Sequence, residues 1–355
     1  MTENTIRIGL VGAGANTKKR HIPGFRAIEG VEILGVVNRS KESTEKVAEE
    51  FDIAWTFPDW NKLVQSEDID AVMIGTWPYM HCEVTCAALN AGKHVLCEAR
   101  MAMNADEAHK MLKTAHDTPD LVKQVVPSPY GLKYDRYVKK IIAEGFLGEL
   151  RELVVIGAND LWSDTEKPLH WRQDAEFSGN NILAMGILHE SALRWSPDPV
   201  RVFAQKTLHE KHYKASSRST QTEPSVPDSV QVMTLLDNGA RGLYHMSGID
   251  HFGPGNQIHL YGSEGSIKLE IGTDEKLWIG SKNDKELHEP EISAEELGGW
   301  RVEEEFINAI RGKEKVQFTD FATGVKYMEF TDAVHLSTDL DVPIDLPLAE
   351  YTPNR

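Results

Sequence analysis

The first 125 residues alternate short apolar runs with helix-like segments, and this alternation constrains the fold more than any other feature of the chain. The strand-like runs cover residues 6–11, 31–37, 71–75, 94–97 and 122–126. Helix-like segments at 41–51, 82–91 and 105–116 separate them, the last opening on Asn104 as a predicted N-cap. Strands that alternate with helices at this spacing predict βαβ units. We therefore expect an α/β fold whose N-terminal part is a doubly wound parallel sheet.

The pattern changes after residue 125. Strand-like runs follow at 150–158, 230–236, 242–246, 257–261, 266–270 and 277–279, separated by turn signals such as Asp237-Asn238-Gly239. Helical stretches at 302–310 and 322–340 close the chain. These runs predict a C-terminal α+β domain with an open, mainly antiparallel sheet. Since 355 residues suit about two domains, we expect one at 1–125 and a second at 126–355.

The charge balance excludes several classes of partner. The chain has 38 Lys and Arg against 55 Asp and Glu, a formal net charge of −17. Such a chain lacks the clustered cations that nucleic acids and anionic membranes attract, and no apolar run is long enough to span a bilayer. Three cysteines, Cys82, Cys86 and Cys97, are too few for a disulfide framework, which favours a reducing, cytoplasmic location.

A glycine-rich turn follows the first strand and precedes a helix-like stretch. Two glycines allow a tight turn and close approach to a pyrophosphate, and the helix N-terminus offers N–H groups. This context predicts a Rossmann-type dinucleotide site, with a glycine-rich turn that binds no ligand as the alternative. The predicted cofactor-binding residues of the turn are Gly12, Gly14, Ala15, Asn16 and Thr17.

The end of the second strand indicates which cofactor is used. The residue that contacts the adenosine ribose lies about 20 residues past the motif, and an acidic residue there favours NAD. Asn38 occupies this position and Arg39 and Ser40 follow it. A guanidinium pairs well with a 2′-phosphate. The sequence therefore predicts NADP(H) in preference to NAD(H), with a solvated turn arginine as the alternative.

Several longer stretches resemble the Gfo/Idh/MocA oxidoreductase family. They are Gly12-Ala13-Gly14 with downstream His21 and Pro23, the pair Thr76 and His81, the stretch 88–98 that ends in Cys97-Glu98, and the stretches 144–150 and 261–266. The resemblance implies a Rossmann domain, an open-faced α/β domain, and oxidation or reduction of sugars, cyclitols or related compounds. It also implies homo-oligomers, dimers or tetramers, formed through the second sheet. It adds Thr76, Trp77, His81 and Glu98 to the cofactor-binding residues.

Two familiar catalytic groups of that family are missing. Its Glu-Lys-Pro signature is Glu98-Ala99-Arg100 here, so an alanine replaces the lysine. The usual aspartate of the second domain falls on Met185, whereas the usual histidine is kept as His189. Because the pKa of histidine lies near neutrality, His189 is the predicted catalytic residue, and Glu190 could orient its ring or point away.

Other polar and aromatic side chains predict the substrate site. Aromatic faces beside charged hydrogen-bonding groups suit a polyhydroxylated ligand, and an ordinary loop with buried tryptophans is the alternative. The predicted substrate-binding residues are Arg100, Tyr130, Trp162, His170 and Arg172, the last on the strength of the resemblance. No metal site is predicted, because no His or Cys pair completes a set with Cys82 and Cys86.

The sequence thus predicts an NADP(H)-dependent oxidoreductase that acts on a small polyhydroxylated molecule by hydride transfer. Ala99 and Met185 keep two alternatives open. One is a cofactor-binding sensor or regulatory protein without turnover. The other is a nicotinamide-dependent lyase or glycoside-cleaving enzyme that oxidises its substrate only transiently.

Overall fold

Residues 5–215 and 221–351 of the computed structural model are described, and they form two compact units. The first unit contains the described residues up to Pro127 together with Arg301–Val325, and the second contains Ser128–Trp300 and the residues from Lys326 onward. This division differs from a single boundary at residue 125, because a late segment returns to the first unit. In that segment Phe306 packs edge-to-face on Phe25 at 6.4 Å between ring centroids.

The first unit is built on a parallel sheet of six strands in the order β3-β2-β1-β4-β5-β6. The strands are β1 (Ile6–Val11), β2 (Val31–Val37), β3 (Trp55–Thr56), β4 (Ala71–Ile74), β5 (His94–Cys97) and β6 (Lys123–Val125). The helices are α1 (Ile22–Arg26), which continues a π-helical turn at Thr17–His21, α2 (Lys41–Glu50), α3 (Trp60–Val64), α4 (His81–Asn90), α5 (Ala105–Asp117) and, later in the chain, α9 (Val302–Ile310). The predicted doubly wound parallel sheet is confirmed.

The central strands are apolar on both faces, as a sheet covered on both sides requires. Every residue of β4 and the side chains of Ile8 and Leu10 in β1 are fully buried. The strand order reverses between β1 and β4, because the chain crosses from the edge strand β3 back to β4, which pairs with β1. Ligands of open α/β sheets bind beyond the carboxyl ends of the strands at such a point.

The second unit is built on an eight-stranded sheet in the order β13-β12-β11-β7-β10-β9-β8-β14. Its strands are β7 (Leu150–Ala158), β8 (Pro199–Thr207), β9 (Ser229–Leu236), β10 (Arg241–Ser247), β11 (Gly255–Gly262), β12 (Gly265–Ile271), β13 (Lys276–Ser281) and β14 (Ile344–Asp345). Among the strand pairs of this sheet that the described residues form, β7 and β10 run parallel and the others antiparallel. Its helices are α6 (Asp135–Ala143), α7 (Ala175–Ser178) and α8 (Met185–Leu193), together with α10 (Phe321–Leu340), whose first five residues belong to the first unit. The predicted mainly antiparallel sheet is confirmed.

One face of this sheet is covered and the other is open. In β9, buried Val230, Val232 and Leu236 alternate with exposed Met233 and Leu235, the period of two expected of a half-buried strand. On the covered face, a side chain at Gly157 would collide with Leu188 of α8. Within the described residues, no helix combines the length and apolarity needed to cross a membrane.

Candidate functional site

The turns after β1 and β4 pack against each other at the carboxyl edge of the parallel sheet. Gly12 has a φ of +83°, which favours glycine. A Cβ added at Gly75 would collide with the hydroxyl of Thr17 and with the carbonyl oxygen of Gly12. The two turns can approach this closely only because both positions are glycine.

Two buried hydroxyls lie in the same turns without a hydrogen-bond partner among the described residues. They are Oγ1 of Thr17 and Oγ1 of Thr76. An unsatisfied buried hydroxyl costs free energy, so such groups point to a bound ligand or water. We call the close packing of the two turns at Gly12 and Gly75 the glycine cradle. Together with this cradle and the helical N–H groups that begin near Thr17, the two hydroxyls fit the phosphates and sugars of a dinucleotide.

Asn38 braces the glycine-rich turn from the end of β2. Its Oδ1 accepts the N–H of Ala13 at 2.7 Å, and its Nδ2 donates to the carbonyl oxygen of Ser43 at 3.0 Å. Ser40 caps α2 by accepting the N–H of Ser43. Arg39 between them is exposed and makes no hydrogen bond or ion pair with any described residue. Among the described residues, the end of β2 therefore presents the unpaired guanidinium of Arg39, and an amide instead of a carboxylate at position 38.

His81 joins the loops that follow β4 and β5. Its Nε2 lies 3.1 Å from the carbonyl oxygen of Thr76, and its Nδ1 lies 2.8 Å from that of Arg100. Burial lowers the pKa of His81, so the ring is neutral and its single N–H donates to one of these oxygens. His81 thus positions backbone, and Trp77 lies in the loop that it holds. The Arg100 side chain is itself buried.

A buried histidine and two carboxylates form a polar cluster in this unit. Nε2 of His21 lies 3.0 Å from Oε1 of Glu98, and its Nδ1 lies 2.5 Å from Oε1 of Glu303. Asn16 also donates to Oε1 of Glu98, at 2.5 Å. Burial opposes the charge on His21, but the bonds from Glu303 and Glu98 outweigh it and raise the pKa of His21 to about 9. Burial also opposes the charge on Glu98, yet His21 and Asn16 hold its pKa below the usual value.

In the second unit the predicted catalytic histidine is part of the interior. The ring of His189 is 1% exposed and stacks on Phe330 with 3.7 Å between centroids. Its Nδ1 lies 2.8 Å from the hydroxyl of Tyr244, and its buried Nε2 has no partner among the described residues. Burial lowers the pKa of His189 to about 3, so the ring is neutral at physiological pH. This burial counts against proton transfer, and the catalytic role of His189 stays a prediction.

Glu190 does not orient the ring of His189. Its carboxylate accepts from Arg194 at 2.9 Å and from the backbone N–H of Ser128 at 2.6 Å. Arg194 and Ser191 also donate to the carbonyl oxygen of Tyr130, both at 3.0 Å. The C-terminal end of α8 therefore anchors the segment that contains Tyr130.

The remaining predicted substrate-binding residues lie on the segment that follows β7. The carbonyl oxygen of Trp162 accepts from Tyr213 at 2.5 Å. His170 is exposed and accepts the N–H of Arg172, whose exposed guanidinium lies 4.4 Å from the ring centroid of Trp171. The structure thus groups Trp162, His170 and Arg172 along one segment, whereas the described partners of His189 are Tyr244 and Phe330.

The site has one member that the sequence did not single out. Glu303 comes 282 residues after its partner His21, and no local motif marks it. Within the described parts of the chain, no group of three or more His, Cys, Asp or Glu side chains could hold a metal ion. Cys82 and Cys86 are buried on α4 and contact carbonyl oxygens of α5.

Comparison with known proteins assigns both parts of the chain to one family. Residues 6–124 match the family described as "Oxidoreductase family, NAD-binding Rossmann fold", and residues 136–268 match the "GFO/IDH/MocA C-terminal domain". The chain is 28% identical to 1,5-anhydro-D-fructose reductase of Ensifer adhaerens over 271 residues, which cover 74% of each protein. It is 24% identical to inositol 2-dehydrogenase of Serratia proteamaculans over 308 residues, 86% of this chain and 82% of that protein.

A solved structure shares the whole fold. The structure described as "Levoglucosan dehydrogenase, complex with NADH" superposes with a TM-score of 0.84 over 97% of this chain and 100% of its own, at 22% identity. At this identity the likeness is one of fold.

Proposed function

Because the chain belongs to the Gfo/Idh/MocA oxidoreductase family, we propose that it is an NADP(H)-dependent enzyme that transfers a hydride to or from a sugar, a cyclitol or a related molecule. The observation that carries this proposal is the glycine cradle with two unpartnered buried hydroxyls, on Thr17 and Thr76. The relatives named for anhydrofructose and inositol support the substrate class.

The preference for NADP(H) rests on the end of β2. Arg39 is exposed and has no partner among the described residues. The side-chain oxygen and nitrogen of Asn38 each form a hydrogen bond with a backbone group. A guanidinium that is not already paired can bind a 2′-phosphate through charge-assisted hydrogen bonds. The structural relative was solved with NADH, so the preference is proposed for this chain alone.

The cofactor, when bound, would supply the hydride donor or acceptor. The N–H groups from Gly14 to Thr17 would bind its pyrophosphate, and the hydroxyls of Thr17 and Thr76 would complete the cradle. Glu98 and His81 hold the loop that contains Ala99 and Arg100. Arg100 stays charged and suits electrostatic stabilisation or substrate binding better than base catalysis.

Ala99 and Met185 favour a second candidate, a cofactor-binding sensor or regulatory protein without turnover. Nucleotide binding followed by assays with a panel of sugars and cyclitols separates the candidates. Tight binding of NADPH together with a change in nicotinamide absorbance supports the proposed enzyme. Binding without turnover supports the sensor, and product formation without a net absorbance change supports the lyase alternative. A protein that binds neither NADPH nor NADH contradicts all three.

We also propose a homo-oligomer, a dimer or a tetramer, formed through the open face of the second sheet. Met233, Leu235 and Leu243 are exposed side by side on β9 and β10 of this face. Contiguous apolar surface of this kind marks protein interfaces. Light scattering on Leu243→Glu would give a smaller mass than for the wild type, and an unchanged mass would exclude this face.

The cysteines support a cytoplasmic location for the proposed enzyme. Cys82, Cys86 and Cys97 are all buried, and each is a free cysteine. Reduced thiols persist in a reducing compartment.

A further inference from the structure

His21 lies between two carboxylates in the interior of the first unit. Its side chain is fully buried, and each ring nitrogen faces a carboxylate oxygen, Glu98 at 3.0 Å and Glu303 at 2.5 Å. An imidazole donates through both nitrogens only when both carry a proton. Two carboxylates around one ring favour the imidazolium form of His21, which can donate to both.

The carboxylate of Glu98 connects three segments of the site. Its Oε1 accepts from His21 and from Asn16 of the glycine-rich turn, and its Oε2 accepts the N–H of Ala99 at 3.2 Å. A carboxylate in contact with three donors has one orientation. The backbone that leads to Arg100 is consequently tied to the turn after β1.

Glu303 fixes the far side of the ring. A Cβ added at Gly24 would lie 2.7 Å from the carboxylate of Glu303, so α1 packs directly on that group. Glu303 lies in the first turn of α9, with its side chain 4% exposed. The ring of His21 is thus anchored at Nδ1, and its Nε2 is directed at Glu98.

We propose that His21 is a positioning residue of the cofactor site, which fixes the carboxylate of Glu98 and through it the amide of Asn16 and the N–H of Ala99. The inference rests on the proposed function, because it assigns these groups to a nucleotide site. It goes beyond that function by naming His21 and Glu303 as the pair that orders it.

The proton on His21 is essential to this arrangement. Among the described contacts of the ring, the titratable groups are Glu98, from the loop after β5, and Glu303, from α9, while the side-chain amide of Asn16, 3.3 Å from Nε2, does not titrate. A neutral ring has one N–H, so one of the two buried carboxylates loses its hydrogen bond from the ring. Weakening the pairing of a buried charge is unfavourable, and Glu98 would then keep only its described bonds from Asn16 and Ala99.

The test compares His21→Gln with the wild type, and with His116→Gln as a matched control on the exposed surface of α5. NADPH fluorescence gives the Kd of each protein between about pH 6 and pH 10. We expect the wild-type Kd to be constant up to about pH 8 and to rise as His21 loses its proton near pH 9. His21→Gln should bind about tenfold more weakly without that transition, since it loses a charge-assisted bond. The control should match the wild type.

Glu303→Gln provides a second variant in case His21→Gln does not fold. This variant keeps the contact between His21 and Glu98 and removes one carboxylate. The pKa of His21 should then fall, so the rise in the Kd for NADPH should occur at lower pH. A folded His21→Gln whose Kd and pH profile equal those of the wild type overturns the positioning role. A wild type that binds no nucleotide overturns the proposed function instead. In that case, a pH transition in thermal stability that His21→Gln abolishes would show that the imidazolium cluster exists.

Discussion

Two buried histidines, one in each unit, take opposite charge states. His21 is fully buried and has a pKa raised to about 9, whereas His189 is 1% exposed and has a pKa lowered to about 3. Burial disfavours the charged form in both places. The difference comes from the partners, which are two carboxylates around His21 and a phenol and a phenyl ring around His189.

The contrast matters for function because the resemblance singles out His189 as the catalytic residue, and this role stays a prediction. A group that transfers protons near neutrality needs a pKa near the working pH. Burial lowers the pKa of His189 to about 3, well below that range. His21 is charged and buried, which suits the ordering of Glu98 and the turn of Asn16 rather than proton transfer.

The same substitution in both places should give very different losses of stability. His21→Phe leaves Glu98 and Glu303 buried without their shared donor, and we expect the free energy of unfolding to fall by about 3–5 kcal/mol. His189→Phe keeps the stacked ring on Phe330 and loses one neutral hydrogen bond, so a fall of about 1 kcal/mol is expected. Urea unfolding monitored by circular dichroism measures both. Equal losses of unfolding free energy in the two variants would contradict the difference that we assign to the partners of His21 and His189.

The pH dependence of stability should have opposite signs at the two sites. The folded pKa of His21 is about 9 against 6.5 unfolded, so its contribution is complete below about pH 6.5 and is lost as the pH rises through 9. The shift corresponds to about 3 kcal/mol. The folded pKa of His189 is about 3, so its contribution is complete above about pH 6.5 and is lost as the pH falls towards 3.

Unfolding curves across this range measure the two effects separately. His21→Gln should flatten the alkaline limb, and His189→Phe should flatten the acid limb. An alkaline limb that persists in His21→Gln would assign that transition to another group.

Because Arg39 has no partner among the described residues, its removal should change nucleotide affinity and leave the stability of the protein unchanged. Arg39→Ala should weaken NADPH binding roughly tenfold and leave NADH binding unaltered, because only NADPH offers a 2′-phosphate. Fluorescence titrations with both nucleotides measure this, and Arg26→Ala is a control with another exposed arginine of the same unit. Equal wild-type affinities for NADPH and NADH would reject the proposed preference.

The smallest effect is expected on the turnover of the His189→Phe variant. Since the ring of His189 is buried and neutral, His189→Phe should keep kcat within about threefold of the wild type once a substrate is in hand. Steady-state kinetics measure this. Loss of turnover with unchanged Kd for NADPH would instead support the catalytic role of His189 that the sequence predicts.

The sequence was informative wherever the signal is local. The alternation of strands and helices predicted the parallel sheet. The spacing of Gly12 and Gly14 predicted the turn of the glycine cradle, whereas the contribution of Gly75 is evident only from the structure. The cap at Asn104 was also predicted and forms, through the N–H of Glu107.

Long-range pairings could not be predicted in the same way. Periodicity shows that β7 and β10 are strands but not that they pair in parallel within an otherwise antiparallel sheet. Glu303 joins His21 only because α9 returns to the first unit. A histidine beside a glycine-rich turn and one beside a glutamate look alike in sequence, and only their partners in space separate the charged residue from the neutral one.

The most direct measurement is an NMR titration of the histidine side chains in protein labelled with nitrogen-15, with His21→Gln and His189→Phe used for assignment. We expect that His21 remains an imidazolium through neutral pH and titrates near 9, while His189 stays neutral down to about pH 3. If both rings titrated near 6.5, the partners would not set their charge, and neither the ordering role of His21 nor the neutral interior role of His189 would stand.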